Sequence, residues 1–442
     1  MDEILELIEL KKMNELHEKL DNMNSADFPA LFEELDEEKA IVIFRLLSKE
    51  KASDVFAELE SDIQEKLISY LTDNELKNIM NELYLDDATD LIEEMPANVV
   101  KRILKNTKPQ DRKIINQLLE YPDDSAGSIM TVEFVDLKEN MTMLQALDRI
   151  KDIGLEKETI YYCYVTDSKR KLIGIIGLKD IVLSDRNELI KNIMDTNVIK
   201  VSTITDKEEV AKMFDKYNYL AIPVTDKEDR LVGIITVDDA IDVLQDEVAE
   251  DFEKMAALQP NDDTYFKTSV FKHAKNRILW LLLLMLTSII TGTIITNYES
   301  AFAAVPILVA FIPMLMDTGG NCGSQSSTLV IRGLATDEIK TKDFFRVWWK
   351  EIRVAVIVGI ILAIINAIRI FIQYRNFKLS IVIGITLIVT AMVAKSLGCI
   401  MPMLAKKLKL DPALMASPLI TTIVDTCSVL VFFNVAILVM KI

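Results

Sequence analysis

Residues 412–440 read PALMASPLITTIVDTCSVLVFFNVAILVM, a run whose single charged residue is Asp425. About 20 apolar residues in a helix span the hydrocarbon core of a bilayer, so this run predicts a membrane-spanning helix. On that helix Ser417, Thr421, Asp425 and Ser428 share one polar stripe. A carboxylate at bilayer depth is energetically costly and is by default functional, which predicts an ion or proton path. The alternative is a protonated Asp that is hydrogen-bonded to another helix.

Four more segments of low charge precede this run, at about 278–298, 302–331, 354–373 and 379–404. They predict five membrane spans in a multi-pass protein of the cell membrane, with the lipid bilayer as a partner. Basic residues gather before the first span and after the second and fourth. This distribution predicts a cytoplasmic amino terminus and an external carboxyl terminus.

The second segment contains an unusually polar stretch, DTGGNCGSQSS at 317–327. Close helix packing explains its glycines, but the amides of Asn321 and Gln325 need polar partners at this depth. The stretch therefore predicts a wet cavity between helices, lined also by Ser417 and Ser428.

Charge divides the chain into two parts. Residues 1–272 carry a formal charge of −26 and the remainder carries +8, which together give the net −18. An acidic front half repels nucleic acid phosphates, so no nucleic acid partner is expected, and it attracts cations.

The chain has 2 His and 4 Cys without CxxC spacing, which argues against a zinc or copper site and a disulfide framework. A hard, oxygen-seeking cation is expected instead. The amino-terminal residues lack a signal-peptide pattern, which predicts that the front half stays in the cytoplasm.

Two internal repeats organise the front half. Leu35, Leu47, Leu59, Leu71, Leu83 and Met95 recur every 12 residues. This spacing predicts short stacked helices, each ending on a buried side chain, in a superhelix. The second repeat aligns YVTD at 164–167 and LIGII at 172–176 with PVTD at 223–226 and LVGII at 231–235. It resembles a tandem pair of CBS modules over 128–246, with repeats at about 128–190 and 191–246; two βαβ-type units without a ligand are the alternative.

The longest specific stretches are TGGNCGSQS at 318–326, LVIR at 329–332, DPA at 411–413 and PLITTIVD at 418–425. Together with the acidic superhelix and the CBS pair they resemble the MgtE family of magnesium channels. The resemblance covers the whole chain. It implies an all-α membrane domain of five helices at 274–442, a cytosolic α-helical superhelix at 1–127, the α/β CBS pair, and a connecting (plug) helix at 247–273.

The resemblance also implies a homodimer that takes up Mg²⁺ through a pore on its two-fold axis. Asp425 from each subunit, with the backbone at Thr421, would hold a hydrated Mg²⁺. Cytosolic Mg²⁺ would close the pore by bridging sensor carboxylates across domain interfaces. The implied sensor residues are Asp54, Asp86, Asp90, Asp206, Glu208, Asp239, Asp242, Glu247, Glu250, Asp251 and Asp411.

Some positions depart from the family pattern. Asn218 stands where a sensor carboxylate is expected beside Asp242, so that site should be weaker or absent. Asp54 replaces a longer Glu, and Ser417 stands where Asn is common near the pore. ATP binds the CBS pair in some members, and its positions here would be Tyr162, Lys179 and Asp180.

Other functions remain open from the residues alone. Oxygen ligands do not separate Mg²⁺ from Mn²⁺, Co²⁺ or Ca²⁺, so a permease for another divalent cation is the first alternative. A membrane sensor that does not conduct is the second, although an anchor needs neither Asp425 nor a polar second span. No enzyme is expected, since the chain has no P-loop, HExxH or GxSxG motif.

Overall fold

The structure, a computed structural model, describes residues 2–10, 12–261, 265–299, 303 and 305–441. The chain forms two compact units, Met1–Gln245 and Asp246–Ile442. Each unit buries apolar side chains of its own.

The first unit begins with ten short helices. Their bounds are α1 Asp2–Glu9, α2 Met13–Asn22, α3 Phe28–Glu33, α4 Glu37–Leu46, α5 Lys49–Ala57, α6 Ser61–Tyr70, α7 Asp73–Glu82, α8 Leu85–Glu94, α9 Ala97–Asn106 and α10 Pro109–Leu118. A 3-10 turn, Ser25–Asp27, precedes α3. Side chains cap several amino termini: Asp36 accepts from the Lys39 amide at 2.9 Å, and Thr72 and Glu75 form a capping box on α7.

The 12-residue repeat marks the carboxyl ends of these helices. Leu47, Leu71, Leu83 and Met95 are the residues at which α4, α6, α7 and α8 stop. The last three are buried, as is Leu59, while Leu35 and Leu47 are partly buried against the same core. Ten-residue helices are marginal alone and depend on this packing. The predicted superhelix of short helices is therefore confirmed, and four of the six repeat residues are buried as expected, while Leu35 and Leu47 are only partly buried.

Two similar α/β modules follow. The first contains β1 Asp136–Lys138, α11 Met143–Ile153, a 3-10 turn Gly154–Glu156, β2 Tyr162–Thr166, β3 Leu172–Gly177, α12 Leu178–Leu183 and α13 Ile190–Ile193. The second contains β4 Val201–Ser202, α14 Lys207–Tyr217, β5 Ala221–Thr225 and β6 Leu231–Thr236. In each, a parallel and an antiparallel pairing build a three-stranded sheet, β1-β2-β3 or β4-β5-β6. The strand–turn–strand repeat in the sequence thus forms the predicted paired modules.

Helix α15, Val237–Met255, leaves β6 and continues past the boundary at 245/246. The structure differs here from the expected connecting helix over 247–273. The helix starts inside the second module and ends at Met255, because Ala257 adopts a left-handed backbone with φ 55° and Pro260 follows. Residues 262–264 lie outside the described part of the chain, and the next helix begins at Val270.

The second unit contains long helices: α16 Val270–Asn297, α17 Ile312–Ala335, α18 Phe344–Tyr374, α19 Phe377–Lys407 and α20 Ser417–Met440. The 3-10 turns Pro306–Phe311, Thr341–Asp343 and Pro412–Met415 precede α17, α18 and α20. Within the described residues, four segments are long and apolar enough to span a membrane: Val270–Asn297, Thr341–Tyr374, Phe377–Lys407 and Pro412–Met440. The remaining helix, α17, carries the polar stretch. Residues 302 and 304 of the expected second span lie outside the described residues.

Helix α17 lies between α19 and α20. Gly319, Gly320 and Gly323 bring its backbone close to Ser428, Thr421 and Ile420. Because its residue number rises as that of the contacted residues on α20 falls, the two helices are antiparallel. One apolar core, which includes Leu315, Leu387 and Phe433, joins α17, α19 and α20.

Candidate functional site

An acidic cavity of about 570 Å³ lies in the first unit. Four predicted sensor residues line it: Asp54 on α5, Asp86 on α8, and Asp239 and Asp242 on α15. Glu158, from the loop before β2, completes the acidic lining on the side of the first α/β module. The superhelix and the modules therefore bring carboxylates that are distant in sequence to one cavity.

Local hydrogen bonds hold part of this cavity. The Asp239 carboxylate accepts from the Thr236 hydroxyl at 2.5 Å and from the Thr236 amide at 3.3 Å, which fixes it at the start of α15. Glu133 accepts from the Leu85 amide at 3.4 Å and thereby links a module loop to the start of α8. The Oδ1 atom of Asp86 is buried with no hydrogen-bond partner. A buried acceptor without a partner is costly, so this position favours a bound cation or a proton.

Electrostatics of the cavity favour cation binding. Burial, then repulsion by Glu133, raises the pKa of Asp86 to about 6. Burial, then repulsion by Asp86, raises the pKa of both Asp87 and Glu158 to about 8. Burial raises the pKa of Asp239 to about 6 despite its hydrogen bonds from Thr236. The raised pKa values show that the ionised carboxylates are disfavoured in this cavity, and a divalent cation relieves the same repulsion as a proton does.

Several of the expected sensor residues lie outside this cavity. Asp90 lines a neighbouring acidic pocket with Asp87 and Glu94, and burial together with Asp86 raises its pKa to about 7. Asp206 caps α14 by accepting from the Glu208 amide at 2.9 Å, and Glu208 pairs with Lys212. These last two carboxylates therefore have local partners.

Asn218 has a clear structural role. It ends α14 in the left-handed conformation, with φ 53° and ψ 41°. Asn adopts this conformation more readily than most residues, because its short polar side chain tolerates positive φ. The residue that departs from the sensor pattern thus suits the helix terminus it occupies.

The remaining residues predicted to form the sensor belong to the second unit: Glu247, Glu250 and Asp251 on the last turns of α15, and Asp411 before α20. The structure brings Glu250 and Asp411 together around Lys254. The Lys254 Nζ atom is 2.7 Å from Glu250 Oε1 and 2.8 Å from Asp411 Oδ2. Burial alone would lower the pKa of Lys254, but its hydrogen bonds to both carboxylates raise that pKa above the ordinary value. An ammonium group therefore links α15 to the segment before α20.

Sequence reasoning missed Asp87, Glu133, Glu158 and Lys254. Asp87 lies beside a predicted site residue, and its position in the DDATD run at 86–90 was the available signal. Glu133 and Glu158 come from loops, where periodicity carries no information. Lys254 lay hidden in an acidic helix as its single basic residue after Asp242.

The exposed polar stripe of α17 and α20 is the second candidate site. Ser324 Oγ lies 2.9 Å from Ser417 Oγ and 3.4 Å from Thr421 Oγ1. Asp425 lies one turn beyond Thr421 on α20, and its Oδ1 atom is buried with no hydrogen-bond partner.

The amides predicted to line a cavity are on the surface of α17. Asn321 and Gln325 are both exposed in the single chain. Gly320 permits the contact between the helices, because a Cβ atom there would lie 2.8 Å from Thr421 Cγ2. Ser428 differs from the expectation: it is 1% exposed, and its hydroxyl donates to the Val424 carbonyl at 2.7 Å. It faces Gly319 and so contributes to helix packing, not to the exposed stripe.

A third cavity, of about 220 Å³, lies between the paired modules. Its lining includes Tyr162, Gly177, Asp180, Tyr219 and Pro223. Two of the three residues predicted to bind a nucleotide are therefore present; among the residues described, Lys179 lies exposed on α12 and is not in the lining.

Among the described residues, no site is preassembled in which three or more side chains could bind a metal ion. Across the ranges described above, no group of three His, Cys, Asp or Glu side chains could hold a metal ion. Mg²⁺ commonly keeps several waters and uses one or two carboxylates, so the paired oxygens found here suit it better than a closed site would.

Known proteins are similar to this chain over nearly its full length. Family models match for the divalent cation transporter domain of MgtE at 312–435, the MgtE intracellular N domain at 23–124, and CBS domains at 126–186 and 190–246. The chain is 36% identical over 425 residues to the magnesium transporter MgtE of Thermus thermophilus, covering 95% of this chain and 94% of that protein. It is 33% identical to the magnesium transporter MgtE of Bacillus subtilis, covering 98% and 96%.

One solved structure is similar to about half of this chain. The crystal structure of the cytosolic domain of the Mg²⁺ channel MgtE in complex with ATP matches with a TM-score of 0.52 and 36% identity, covering 54% of this chain and 98% of that one. The fold, the motifs and the similarity along nearly the full length all agree, and the chain belongs to the MgtE family.

Proposed function

We infer that this chain transports Mg²⁺ across a membrane. Its relatives of nearly equal length are magnesium transporters. The observation that carries the inference is the stripe of α17 and α20. There Asp425 is the single charged residue of α20 and lies one turn from Thr421, whose hydroxyl is 3.4 Å from that of Ser324. Mg²⁺ gives up its waters reluctantly, so a carboxylate with hydroxyls and carbonyls can select it through its hydration shell.

We propose that two copies assemble with this stripe facing the shared axis. Asn321 and Gln325 are exposed in one chain, and lipid offers their amides no partner. A second copy would enclose them around water and bring two Asp425 carboxylates towards one ion. Two facing carboxylates repel each other, which favours a divalent counter-ion. In this arrangement all five long helices cross the membrane, with the amino terminus in the cytoplasm and the carboxyl terminus outside.

We propose that the acidic cavity senses cytosolic Mg²⁺. At low Mg²⁺ its carboxylates repel one another, and at high Mg²⁺ ions bridge them and hold the pore closed. Helix α15 supports this coupling, because one continuous helix carries Asp239 of the cavity and Glu250 near the membrane domain. Asp54, Asp86, Asp90 and Asp242 would act with Asp239, and Glu247, Asp251 and Asp411 with Glu250.

ATP is the second ligand proposed. The cavity between the modules offers Tyr162 and Asp180 at its wall, and the matching relative was crystallised with ATP. The aromatic ring suits stacking on a base, and the carboxylate suits hydrogen bonds to ribose hydroxyls. ATP would act here as a regulator, consistent with the absence of catalytic motifs noted above, so no enzymatic activity is proposed.

Ion uptake into proteoliposomes tests the function. Mg²⁺ on the side of the first unit would be varied, with Ca²⁺, Mn²⁺ and Co²⁺ as competitors. Selective Mg²⁺ flux that stops as Mg²⁺ rises on that side supports both pore and sensor. Preference for another divalent cation would change the substrate, and absence of flux at every Mg²⁺ concentration would favour the non-conducting sensor.

A further inference from the structure

Three polar side chains are buried where α17, α18 and α19 meet, away from the exposed stripe. This triad consists of Ser326 on α17, Glu351 on α18 and Lys395 on α19, with exposed fractions of 0%, 9% and 4%. Ser326 Oγ donates to Glu351 Oε2 at 2.5 Å, and Lys395 Nζ donates to Ser326 Oγ at 3.1 Å. Lys395 Nζ is 3.8 Å from Glu351 Oε2. The hydroxyl thus stands between the two charges and contacts both.

A buried ion pair is a poor way to stabilise a fold. Removing two charges from water costs more than their attraction often returns, and apolar residues of similar volume frequently do as well or better. In a membrane domain the cost is higher still, and ionisable residues there are functional by default. This pair therefore calls for a role besides stability, and the element it contacts indicates that role.

That element is α17. Two helical residues turn by about 200°, so Ser326 points from the opposite side of α17 to Ser324, whose hydroxyl faces α20. Ser327 lies only about 60° around the helix from Ser324, and it donates to the Met415 carbonyl at 2.8 Å, on the side of α20. A Cβ atom at Gly398 would lie 2.3 Å from the Gly323 carbonyl oxygen, so the backbones of α17 and α19 are in direct contact beside the triad. The back of α17 is therefore anchored while its front carries the stripe.

We propose that Glu351 and Lys395 are positioning residues, which act through Ser326 to fix the rotation of α17 about its axis and thereby set the ion selectivity of the stripe on its front. The part of this proposal that concerns selectivity rests on the proposed transport function. A rotation of α17 would move Asn321 and Ser324 away from Ser417 and Thr421 without touching Asp425. The triad would then control which ions pass while contacting none of them.

Transport measurements give the first test. Ser326→Ala removes the hydroxyl link and keeps the ion pair, whereas Glu351→Gln with Lys395→Met removes both charges without leaving one unpaired. Interhelical hydrogen bonds in membranes contribute energies that correspond to roughly threefold to twentyfold changes in an equilibrium. We expect the ratio of Mg²⁺ flux to Co²⁺ flux to decrease by a factor in that range in both variants. The thermal midpoint of Ser326→Ala should stay near that of the parent. Glu338→Gln with Lys378→Met, at two exposed positions, is the matched control.

Cross-linking gives a second test that needs no flux. Ser324→Cys and Ser417→Cys place two thiols where the hydroxyl oxygens are 2.9 Å apart. In the full chain, copper-catalysed disulfide formation, followed by mass spectrometry of that peptide pair, should be fast. Adding Ser326→Ala or the double charge removal should slow it severalfold, and adding the control pair should not.

The outcomes separate the two proposals. Parent-like selectivity and parent-like cross-linking in Ser326→Ala would overturn the positioning role, even if the double variant does not fold. A change in thermal stability alone, with both readouts unmoved, would reduce the triad to a structural contact and overturn it too. If the parent chain transports no Mg²⁺, the transport function is refuted. The cross-linking rates of the parent and the variants would still show whether the triad has the positioning role.

Discussion

Replacing Asp86 by Asn would test the electrostatics of the acidic cavity. Burial and Glu133 raise the pKa of Asp86 from 3.8 to about 6, so the folded state holds this proton more tightly than the unfolded state does. The stabilisation is complete below about pH 4 and is lost as the pH rises through about 6. Folded and unfolded pKa values that differ by about 2 correspond to about 3 kcal/mol of stability. Asn cannot ionise, so the variant should regain at most about 3 kcal/mol at about pH 8 and nothing below about pH 4.

Hydrogen exchange of the α8 amides, Leu85–Glu94, measures this locally in the full chain in detergent. With EDTA present at about pH 8, protection of these amides should rise up to about 100-fold in Asp86→Asn, and the difference should vanish as the pH falls to about 4. Added Mg²⁺ should raise protection more in the parent than in the variant. Asp148→Asn, at an exposed position on α11, is the control. Equal protection of parent and variant at the higher pH, or a gain that grows towards low pH, would refute the reasoning.

Three further predictions concern the second unit. Asp425→Asn should abolish selective Mg²⁺ flux in proteoliposomes because the stripe loses its carboxylate, while the exposed Asp337→Asn should not; unchanged selectivity of Asp425→Asn would remove that residue from the ion path. Lys254→Met leaves two carboxylates without their ammonium group, so the thermal midpoint of the chain should fall in EDTA and recover with Mg²⁺; a loss that Mg²⁺ does not reverse would contradict this. Gly320→Leu should lower the midpoint by several degrees, because even a Cβ atom lies 2.8 Å from the α20 side chain it meets, and a stable variant would show that α17 can move aside.

The two internal repeats predicted most of the fold of the first unit. The 12-residue spacing predicted the superhelix because each helix must bury its last apolar residue, and the duplicated VTD and LxGII patterns predicted the two modules because strand and turn chemistry is local. The end of α15 was predicted less well. A helix pattern without glycine gave no sign that Ala257 would adopt a positive φ, since that depends on what the following loop packs against.

The sites divide along the same line. Asp54, Asp86, Asp239 and Asp242 were implied by the family resemblance, and the structure gathers them at one cavity. Glu158 belongs to that cavity through a loop whose position depends on tertiary contacts that no local pattern encodes. Glu351 and Lys395 escaped notice for a different reason. Each is one charge at the edge or in the interior of an apolar run, and only the packing of three helices reveals that they face each other.

The superhelix also constrains how this domain can change in evolution. Helix α4 packs on α6, α5 on α7, α7 on α9 and α8 on α10, so the main contacts skip one helix. Loss or gain of one 12-residue unit would put every later helix on the wrong side of the stack, whereas a change of two units, about 24 residues, would restore the alternation. Length variants of this domain should therefore differ by pairs of helices, and insertions before α8 should be tolerated only in such pairs if the acidic cavity is to keep its shape.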